Sequence, residues 1–222
     1  MNLLYNFSMK NFLMSLLDLI YKKRCYFCKK SNDNSAFCEK CYNTLYMNSL
    51  SVKHICKNVN IFCAGKYEKT MQKLIRGIKY HKQKELSFYQ AKFMSEYFNR
   101  LNLNKNYQVV PVPLYKDRQR KRGYNHMELV GEEFCKLTGM VLNTKLITRI
   151  KNTKPQYKLK RTERMENLKN AFCVNLEFLE NDLDILIIDD IFTTGSTFES
   201  MITEFNKNGI YNIMCLAAAS AI

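Results

Sequence analysis

The sequence predicts an α/β fold with a central, mainly parallel sheet, and one stretch near its C-terminus carries most of that prediction. Residues 185–188 form a continuous apolar run, which is typical of a strand buried on both faces of a parallel sheet. Two aspartates and a loop of small hydroxyl residues around Gly195 follow this run. An amphipathic helix comes next, because apolar residues recur at helical spacing at Phe198, Met201, Ile202 and Phe205. Ligands of such strand–loop–helix units bind beyond the carboxyl ends of the strands.

Length and charge set the broad class of the protein. A chain of 222 residues suits one α/β domain with a small appendage, and 46% hydrophobic residues can form a substantial core. The formal net charge of +15 attracts polyanions, with nucleic acid first and anionic lipid second. The alternative is that part of this charge is only solvated surface, as in Lys- and Asn-rich proteins of AT-rich genomes.

The N-terminal residues predict an amphipathic helix rather than a membrane span. No apolar run reaches the ~20 residues that cross a bilayer. Residues 12–20 are interrupted by Asp18 and lack a signal-peptide cleavage site, so we expect a cytoplasmic protein. The apolar stripe of residues 9–20 could lie on a membrane surface or pack on the adjacent domain, and packing is the commoner use.

Four of the nine cysteines form two Cys-x-x-Cys pairs, Cys25 with Cys28 and Cys38 with Cys41. Such paired knuckles can enclose Zn²⁺ tetrahedrally, and a thioredoxin-like redox site would need only one pair. No histidine or carboxylate with ligand spacing accompanies them, so the pattern predicts a closed, structural zinc site. We therefore predict two domains, a zinc module at residues 1–55 and an α/β domain at residues 56–222.

The α/β domain shows further strands and helices in order. Apolar spacing predicts helices over residues 71–78 and 85–103, and strands over 141–147, 171–174 and 210–218. Residues 107–114 read as another strand, ending in a loop that contains proline.

Two basic stretches of this domain are candidates for anion binding. Residues 116–126 read as a dense cationic loop, in which arginine suits bidentate phosphate contacts and Tyr124 could stack on a base. A solvated, disordered charge run is the alternative. Residues 149–164 read as a mobile loop, of the kind that closes over substrate in many transferases. The cations singled out in the first stretch are Arg118, Arg120, Lys121 and Arg122.

The loop at residues 193–197 has the chemistry of a phosphate site. Backbone N–H groups at a helix N-terminus bind phosphate, and Gly195 permits close approach of the chain. Asp189 and Asp190 would repel phosphate, so they are better suited to a sugar diol or to water-bound Mg²⁺. The alternative is an ordinary buried strand with an Asx turn and a capped helix. The hydroxyl donors are Thr193, Thr194, Ser196 and Thr197.

Residues 185–197 resemble the phosphoribosyl-pyrophosphate (PRPP) loop of type I phosphoribosyltransferases: a hydrophobic strand, two acidic residues and a Thr/Gly-rich turn. The resemblance implies a type I phosphoribosyltransferase-like domain in which Asp189 and Asp190 face the ribose, with Mg²⁺ accompanying the PRPP. It also implies that residues 193–197 wrap the 5′-phosphate. By the same analogy, Val112, Pro113 and Leu114 occupy the position of the pyrophosphate loop.

The order of motifs along nearly the whole chain resembles the ComF family of competence proteins. An N-terminal helix and the cysteine knuckles precede Pro111–Leu114, Arg122–Asn125 and the aspartate loop, with Gln156, Arg164, Asn167, Ala171 and Phe172 between them. One departure is His126, where that family is expected to have glutamine. The resemblance implies a zinc finger joined to a phosphoribosyltransferase-like domain, and a role with single-stranded DNA in natural transformation on the cytoplasmic side of the membrane.

Three functions fit the sequence. The first is a DNA-uptake factor that binds PRPP or a related ligand and contacts single-stranded DNA. Proteins of the uptake machinery are the expected partners, and they could hold it near the membrane. The second is an active phosphoribosyltransferase in nucleotide salvage or related metabolism, which would need a nucleobase pocket. The third is a regulator that kept the fold and lost the chemistry.

Overall fold

The computed structural model describes residues 24–31, 35–47, 52–103, 105–153 and 167–222. The chain forms two compact units, residues 1–44 and residues 45–222. The sequence prediction placed the domain boundary after residue 55. The predicted N-terminal helix at residues 9–20 lies outside the described residues, as does most of the predicted mobile loop at residues 149–164.

The second unit is built on a six-stranded sheet with the order β1–β2–β8–β7–β3–β4. Strands β2, β8, β7, β3 and β4 run parallel to one another, and β1 joins β2 as an antiparallel hairpin at the edge. The predicted α/β class with a central, mainly parallel sheet is confirmed. These strands are β1 (Val52–Cys56), β2 (Val59–Cys63), β3 (Tyr107–Pro111), β4 (Val141–Leu142), β7 (Asp184–Phe192) and β8 (Ile213–Ser220).

Six α-helices are described. The helix predicted over residues 71–78 is α2, and the one predicted over 85–103 is α3, slightly shorter than expected. None of the helices in the described part of the chain combines the length and the apolar character that a bilayer crossing requires. They are α1 (Glu39–Met47), α2 (Lys69–Tyr80), α3 (Leu86–Arg100), α4 (Lys116–Arg122), α5 (His126–Thr138) and α6 (Ser196–Lys207).

Strand β7 is covered on both faces. Ile185 and Ile187 belong to a core that includes Phe198 and Ile202 of α6. On the opposite face, Ile188 meets α5, where a Cβ added at Gly131 would lie 3.4 Å from the Ile188 Cδ1 atom. This two-sided burial explains the continuous apolar run, because a strand covered by helices on both faces has no solvated side.

Three local predictions differ from the structure. Residues 116–122 form the short helix α4 rather than a loop, ended by Gly123 in the left-handed conformation (φ 82°). The strand expected over residues 141–147 is two short ones, β4 and β5 (Ile147–Arg149). Strand β6 (Phe172–Val174) pairs with β5 as a separate antiparallel ribbon, so it does not enter the central sheet. A 3₁₀-helix follows it at Leu176–Phe178.

Candidate functional site

The aspartate pair lies inside β7, because the strand extends to Phe192. Asp189 and Asp190 are therefore in its last four residues, and the loop of residues 193–195 leads directly into α6. Strands β3 and β8 run parallel to β7 on either side of it. The loop consequently lies at the carboxyl edge of the sheet, where ligands of open α/β sheets bind.

Gly195 is the residue that turns the chain from strand to helix. Its φ of 79° lies in the left-handed region, which L side chains rarely adopt. A Cβ at this position would lie 3.0 Å from the Phe192 Cε2 atom and 3.3 Å from its Cζ atom. The phenyl ring stacks on His54 with a centroid distance of 4.2 Å. Both the backbone angle and the packing therefore require glycine here.

The hydroxyl residues of the loop line the start of α6. The Thr194 Oγ1 and Ser196 Oγ atoms are 2.5 Å apart, and Ser196 is buried. Thr193 and Thr197 are partly exposed. A helix N-terminus with hydroxyl side chains around it is suited to an anion, since it offers N–H and O–H donors together.

Asp190 is held among basic side chains. Its Oδ2 atom lies 2.5 Å from the Lys79 Nζ atom and also contacts the His126 Nε2 atom. The Arg122 Nη1 atom lies 2.8 Å from the His126 Nδ1 atom. Since arginine can only donate, Nδ1 is the acceptor and Nε2–H donates to Asp190. Helices α2 and α5 thus each provide a partner for one carboxylate of β7.

The protonation of this cluster follows from its burial and charges. Burial opposes the charge of Asp190, but Lys79 and then His126 hold the pKa of this carboxyl well below its usual range. Burial lowers the pKa of His126 to about 4, although Asp190 acts in the opposite direction. Burial would also lower the pKa of Lys79, yet the Asp190 carboxylate raises it. Asp190 and Lys79 are therefore an ion pair, and His126 is neutral at pH 7.

Asp189 has different surroundings from its neighbour. Its Oδ1 atom accepts a hydrogen bond of 2.8 Å from the Asp190 backbone N–H. Among the described residues this is the only hydrogen bond of its side chain. Burial, and then the charge of Asp190, raise the pKa of Asp189 to about 7, while Lys79 and Arg149 lower it. At neutral pH this carboxyl is poised between its two protonation states.

Two arginines converge on Thr153. The Arg118 Nη2 atom donates to the Thr153 carbonyl oxygen at 2.6 Å, and the Arg149 Nη2 atom donates to the Thr153 hydroxyl. Arg149 is buried, and its Nε atom has no hydrogen-bond partner in the described part of the chain. Burial, and then the charge of Arg118, lower the pKa of Arg149 to about 10. Two cations held together in this way favour an anion between or beside them.

The loop after β3 is fixed to the same edge of the sheet. The Val112 N–H donates to the Ile188 carbonyl of β7 at 3.0 Å, and the Asn125 Nδ2 atom donates to the Val112 carbonyl at 3.2 Å. Asn125 also caps α5 by accepting from the Met127 N–H at 3.1 Å. Pro113 and Leu114 are partly exposed. The predicted pyrophosphate loop thus lies beside the end of β7, and its ligand remains a prediction.

Helix α4 presents its cations in two directions. Arg120 and Lys121 are exposed, whereas Arg118 and Arg122 are partly buried in the contacts given above. Tyr124 donates to the Ile78 carbonyl at 2.5 Å, and the Lys84 Nζ atom lies 4.8 Å from its ring centroid. One face of the Tyr124 ring is therefore already covered by a cation. Arg120 and Lys121 are therefore the residues of this stretch that are best placed to contact a polyanion in solution.

The four paired cysteines form a cluster in the first unit. The Sγ atoms of Cys25, Cys28, Cys38 and Cys41 all lie within 4.8 Å of one another, and those of Cys28 and Cys38 are 3.8 Å apart. Tetrahedral ZnS₄ with Zn–S bonds of about 2.3 Å has sulfur–sulfur distances of ~3.8 Å. Phe37, the residue before Cys38, is buried and stacks on Phe27 with a centroid distance of 4.0 Å. This cluster could therefore hold one zinc ion.

A cleft of about 270 Å³ adjoins the start of α6. It lies next to the hydroxyl loop, because Ser196 lines both. Its other walls are formed by Lys169, Asn170, Ala171, Phe172, Glu199, Ser200, Thr203, Glu204 and Lys207.

Sequence reasoning missed Lys79, His126 and Arg149 as site residues. Lys79 follows Ile75 by four positions, so helical spacing alone places this lysine on the buried face of α2 and could have identified it. His126 is the second residue after Tyr124 in the predicted cationic stretch, and nothing in the sequence links it to β7. Arg149 ends a short strand whose pairing could not be predicted.

Comparisons with known proteins identify relatives of this chain. It is 33% identical over 116 residues to Competence protein F of Haemophilus influenzae. These aligned residues cover 51% of this chain and 50% of that protein. It is 36% identical over 101 residues to DNA utilization protein YhgH of Salmonella typhi, covering 46% and 44% of the two chains. Competence protein ComFC of Bacillus subtilis is 27% identical over 176 residues, covering 78% and 67%. The chain spans about half the length of the first two relatives.

No protein-family model matches the chain. Among solved structures, it is similar to adenine phosphoribosyltransferase from Thermoanaerobacter pseudethanolicus, with a TM-score of 0.39 and 9% identity, over 80% of this chain and 98% of that one. The chain is therefore a homologue of the proteins named Competence protein F, ComFC and YhgH, in agreement with the ComF resemblance of its motifs.

Proposed function

We propose that this protein is a DNA-uptake factor of natural transformation that carries a PRPP-binding site and handles single-stranded DNA in the cytoplasm. The names of its relatives support the competence role, since two are competence proteins and one is a DNA utilization protein. Partners in the DNA-uptake machinery belong to the same proposal, and they would account for any association with the membrane.

The observation that carries the PRPP site is the geometry at the end of β7. Gly195 starts α6 behind a loop of hydroxyl residues, which suits the 5′-phosphate. Asp189 and Asp190 lie shortly before the loop in the same strand, so a sugar diol bound beside the loop would meet these carboxylates. Magnesium would be held with the PRPP, since carboxylates and phosphates are its usual ligands. Arg118 and Arg149 would face the negative charge of the same ligand.

The DNA-binding part of the proposal rests on charge. The chain has a net charge of +15, and Arg120 and Lys121 are exposed on α4. Phosphate contacts release condensed counterions, so such a surface binds single strands with little sequence preference and with strong salt dependence.

Zinc is proposed as the structural ion of the first unit. The cysteine cluster fits it in donor type, donor number and sulfur spacing. The ion would tie the two knuckles together and contribute directly to the folding of this small unit, because metal binding and folding are coupled in such modules.

Calorimetric titration of the full chain with Mg²⁺–PRPP, alone and with single-stranded DNA present, tests the proposal. We expect 1:1 binding of PRPP and a separate, salt-sensitive interaction with DNA. A shift of PRPP affinity on adding DNA would show that the two sites are coupled. Absence of heat with PRPP at millimolar concentration would overturn the PRPP site, and absence of DNA binding at low salt would overturn the DNA role.

The cleft beside Ser196 favours one second candidate, an active phosphoribosyltransferase. A space of about 270 Å³ adjoining the proposed phosphate loop could admit a small acceptor. This candidate predicts release of diphosphate from PRPP that depends on an added nucleobase. A rate that no nucleobase changes would leave the DNA-uptake role as the better account.

A further inference from the structure

Helix α2 and the residues that follow it form a basic segment without any carboxylate. Because Lys79 contacts Asp190, the end of α2 lies at the carboxyl edge of the sheet. Arg76, Lys82 and Lys84 are exposed there. A surface of one sign attracts polyanions of the opposite charge. Residues 69–84 contain six lysines and arginines and neither aspartate nor glutamate: Lys69, Lys73, Arg76, Lys79, Lys82 and Lys84.

A largely exposed aromatic ring lies within this basic segment. Tyr80 is the last residue of α2, and 61% of it is exposed. The Arg122 guanidinium carbon lies 5.6 Å from the centroid of its ring, within the distance of about 6 Å at which a cation is attracted to an aromatic face. Arg122 is itself held by His126, whose Nδ1 atom is 2.8 Å from its Nη1 atom. One face of the Tyr80 ring therefore meets a fixed cation, and the ring is accessible from the solvent.

A second ring and further cations surround the same helix end. Arg76 precedes Tyr80 by four positions, so the two exposed side chains lie on one face of α2. The Tyr124 hydroxyl donates to the Ile78 carbonyl at 2.5 Å, and the Lys84 Nζ atom lies 4.8 Å from the Tyr124 ring centroid. Aromatic rings among cations are the usual means of binding single strands, because bases stack on the rings while the cations meet the phosphates.

The ring favours an unpaired strand over a duplex. In a duplex the bases stack on one another and are paired, so their faces are not available to a protein side chain. An unpaired base offers a π-face to any aromatic ring, whatever its identity. Arg122 also limits the orientations of the Tyr80 ring, and an ordered side chain loses less entropy when a ligand binds to it.

We propose that Tyr80 is a stacking platform for a base of single-stranded nucleic acid. Arg122 supports the ring, and Arg76 and Lys84 contact the phosphates beside the stacked base. This inference rests on the proposed role with single-stranded DNA. It deepens that role by assigning part of the affinity to the bases rather than to the phosphates, and by placing this contact at the end of α2.

The test compares a labelled oligothymidylate with an abasic strand of the same length, which has the same phosphates and no bases. Fluorescence anisotropy at low salt measures the binding of both strands to the full chain. We expect the parent to bind the thymidine strand about fivefold more tightly or better, as for one stacked base. Tyr80→Ser should reduce this preference to about twofold or less. Tyr80→Phe should keep it, because the ring remains.

Two control variants separate stacking from charge and from exposure. Tyr211 is 69% exposed and precedes β8, so it lies at the opposite, amino edge of the sheet. Tyr211→Ser should bind both strands like the parent. Arg76→Gln should weaken the binding of both strands alike and reduce the slope of log K against log[salt] by about 0.7, since it removes one phosphate contact. Circular dichroism checks that each variant is folded.

Photocrosslinking locates the platform without any substitution. A strand carrying 5-iododeoxyuridine is bound to the parent protein and irradiated, and mass spectrometry identifies the crosslinked residue. We expect the crosslink at Tyr80. Crosslinks confined to other aromatic residues would overturn the assignment, even if Tyr80→Ser did not fold.

The outcomes separate the platform from the DNA role on which it rests. If the parent binds neither strand at low salt, the DNA role itself is wrong. If the parent binds both strands equally, or if folded Tyr80→Ser keeps the preference for bases, the DNA role stands and the platform is wrong. An equal loss of preference in Tyr211→Ser would also overturn the platform, because it would show that the effect is not specific to the end of α2.

Discussion

Replacing Gly195 with alanine should destabilise the protein more than the same change at Gly139. Gly139 ends α5 with a φ of 75°, close to the 79° of Gly195, but a Cβ there meets nothing within 4 Å. An L-residue in the left-handed region costs about 1–2 kcal/mol, and the reduced entropy of the unfolded chain offsets about 0.4–1 kcal/mol of this. Gly139→Ala should therefore lower the free energy of unfolding by about 1 kcal/mol.

At Gly195 the added methyl group also collides with Phe192. The Cβ would lie 3.0 Å from the Cε2 atom, and the ring is stacked on His54, so it moves only by disturbing that contact. Overpacking of this kind costs about 1–3 kcal/mol. Gly195→Ala should therefore lower the free energy of unfolding by about 2–4 kcal/mol in total.

Urea denaturation followed by circular dichroism measures both variants under the same conditions. Because Gly195 carries the turn into α6, its alanine variant should also bind ribose 5-phosphate more weakly, whereas Gly139→Ala should bind like the parent. Equal destabilisation by the two substitutions, within about 0.5 kcal/mol, would refute the role assigned to the Phe192 contact.

Three further predictions concern acid, metal and salt. The native pKa of His126, about 4, lies below its ordinary value of 6.5, so the unfolded chain takes up a proton first and stability falls between about pH 6.5 and pH 4. His126→Gln should remove up to about 3 kcal/mol of this fall in pH-dependent urea melts. Elemental analysis of protein purified without added metal should give about one zinc per chain. Cys28→Ser should reduce that content, and a zinc-free parent with four free thiols would contradict the site. Neutralising Arg120 and Lys121 should flatten the slope of log K against log[salt] for single-stranded DNA binding by about 1.4. This value assumes ~0.7 for each phosphate that the protein no longer neutralises. An unchanged slope would place the DNA contacts elsewhere.

The central strand and its loop could be predicted because local sequence determines them. A run of branched apolar residues that is buried on both faces, a glycine at a left-handed turn and an amphipathic helix each leave a direct pattern. The cysteine knuckles were predictable for the same reason, since ligand spacing is local. The structure places all of these features where the sequence indicated them.

The surroundings of the two aspartates could not be predicted, because they depend on distant contacts. Lys79 is 111 positions from Asp190 along the chain, and His126 is 64 positions from it. The opposite orientation of Asp189 and Asp190 follows from strand alternation, but only if β7 continues past them, and polar residues usually indicate a strand end. Helix α4 was read as a loop because seven consecutive polar residues provide no apolar face to reveal a helix.

The most direct test of the phosphoribosyl site is a ¹H–¹⁵N correlation spectrum of the full chain during titration with ribose 5-phosphate. The protein has seven glycines, so the backbone amide of Gly195 can be assigned among few signals. We predict that the amides of Gly195 and of residues 196–197 shift progressively, and that those of Gly139 and Gly209 do not. Binding with no change at Gly195, or no change anywhere at millimolar ligand, would contradict the assignment of this loop as the phosphate site.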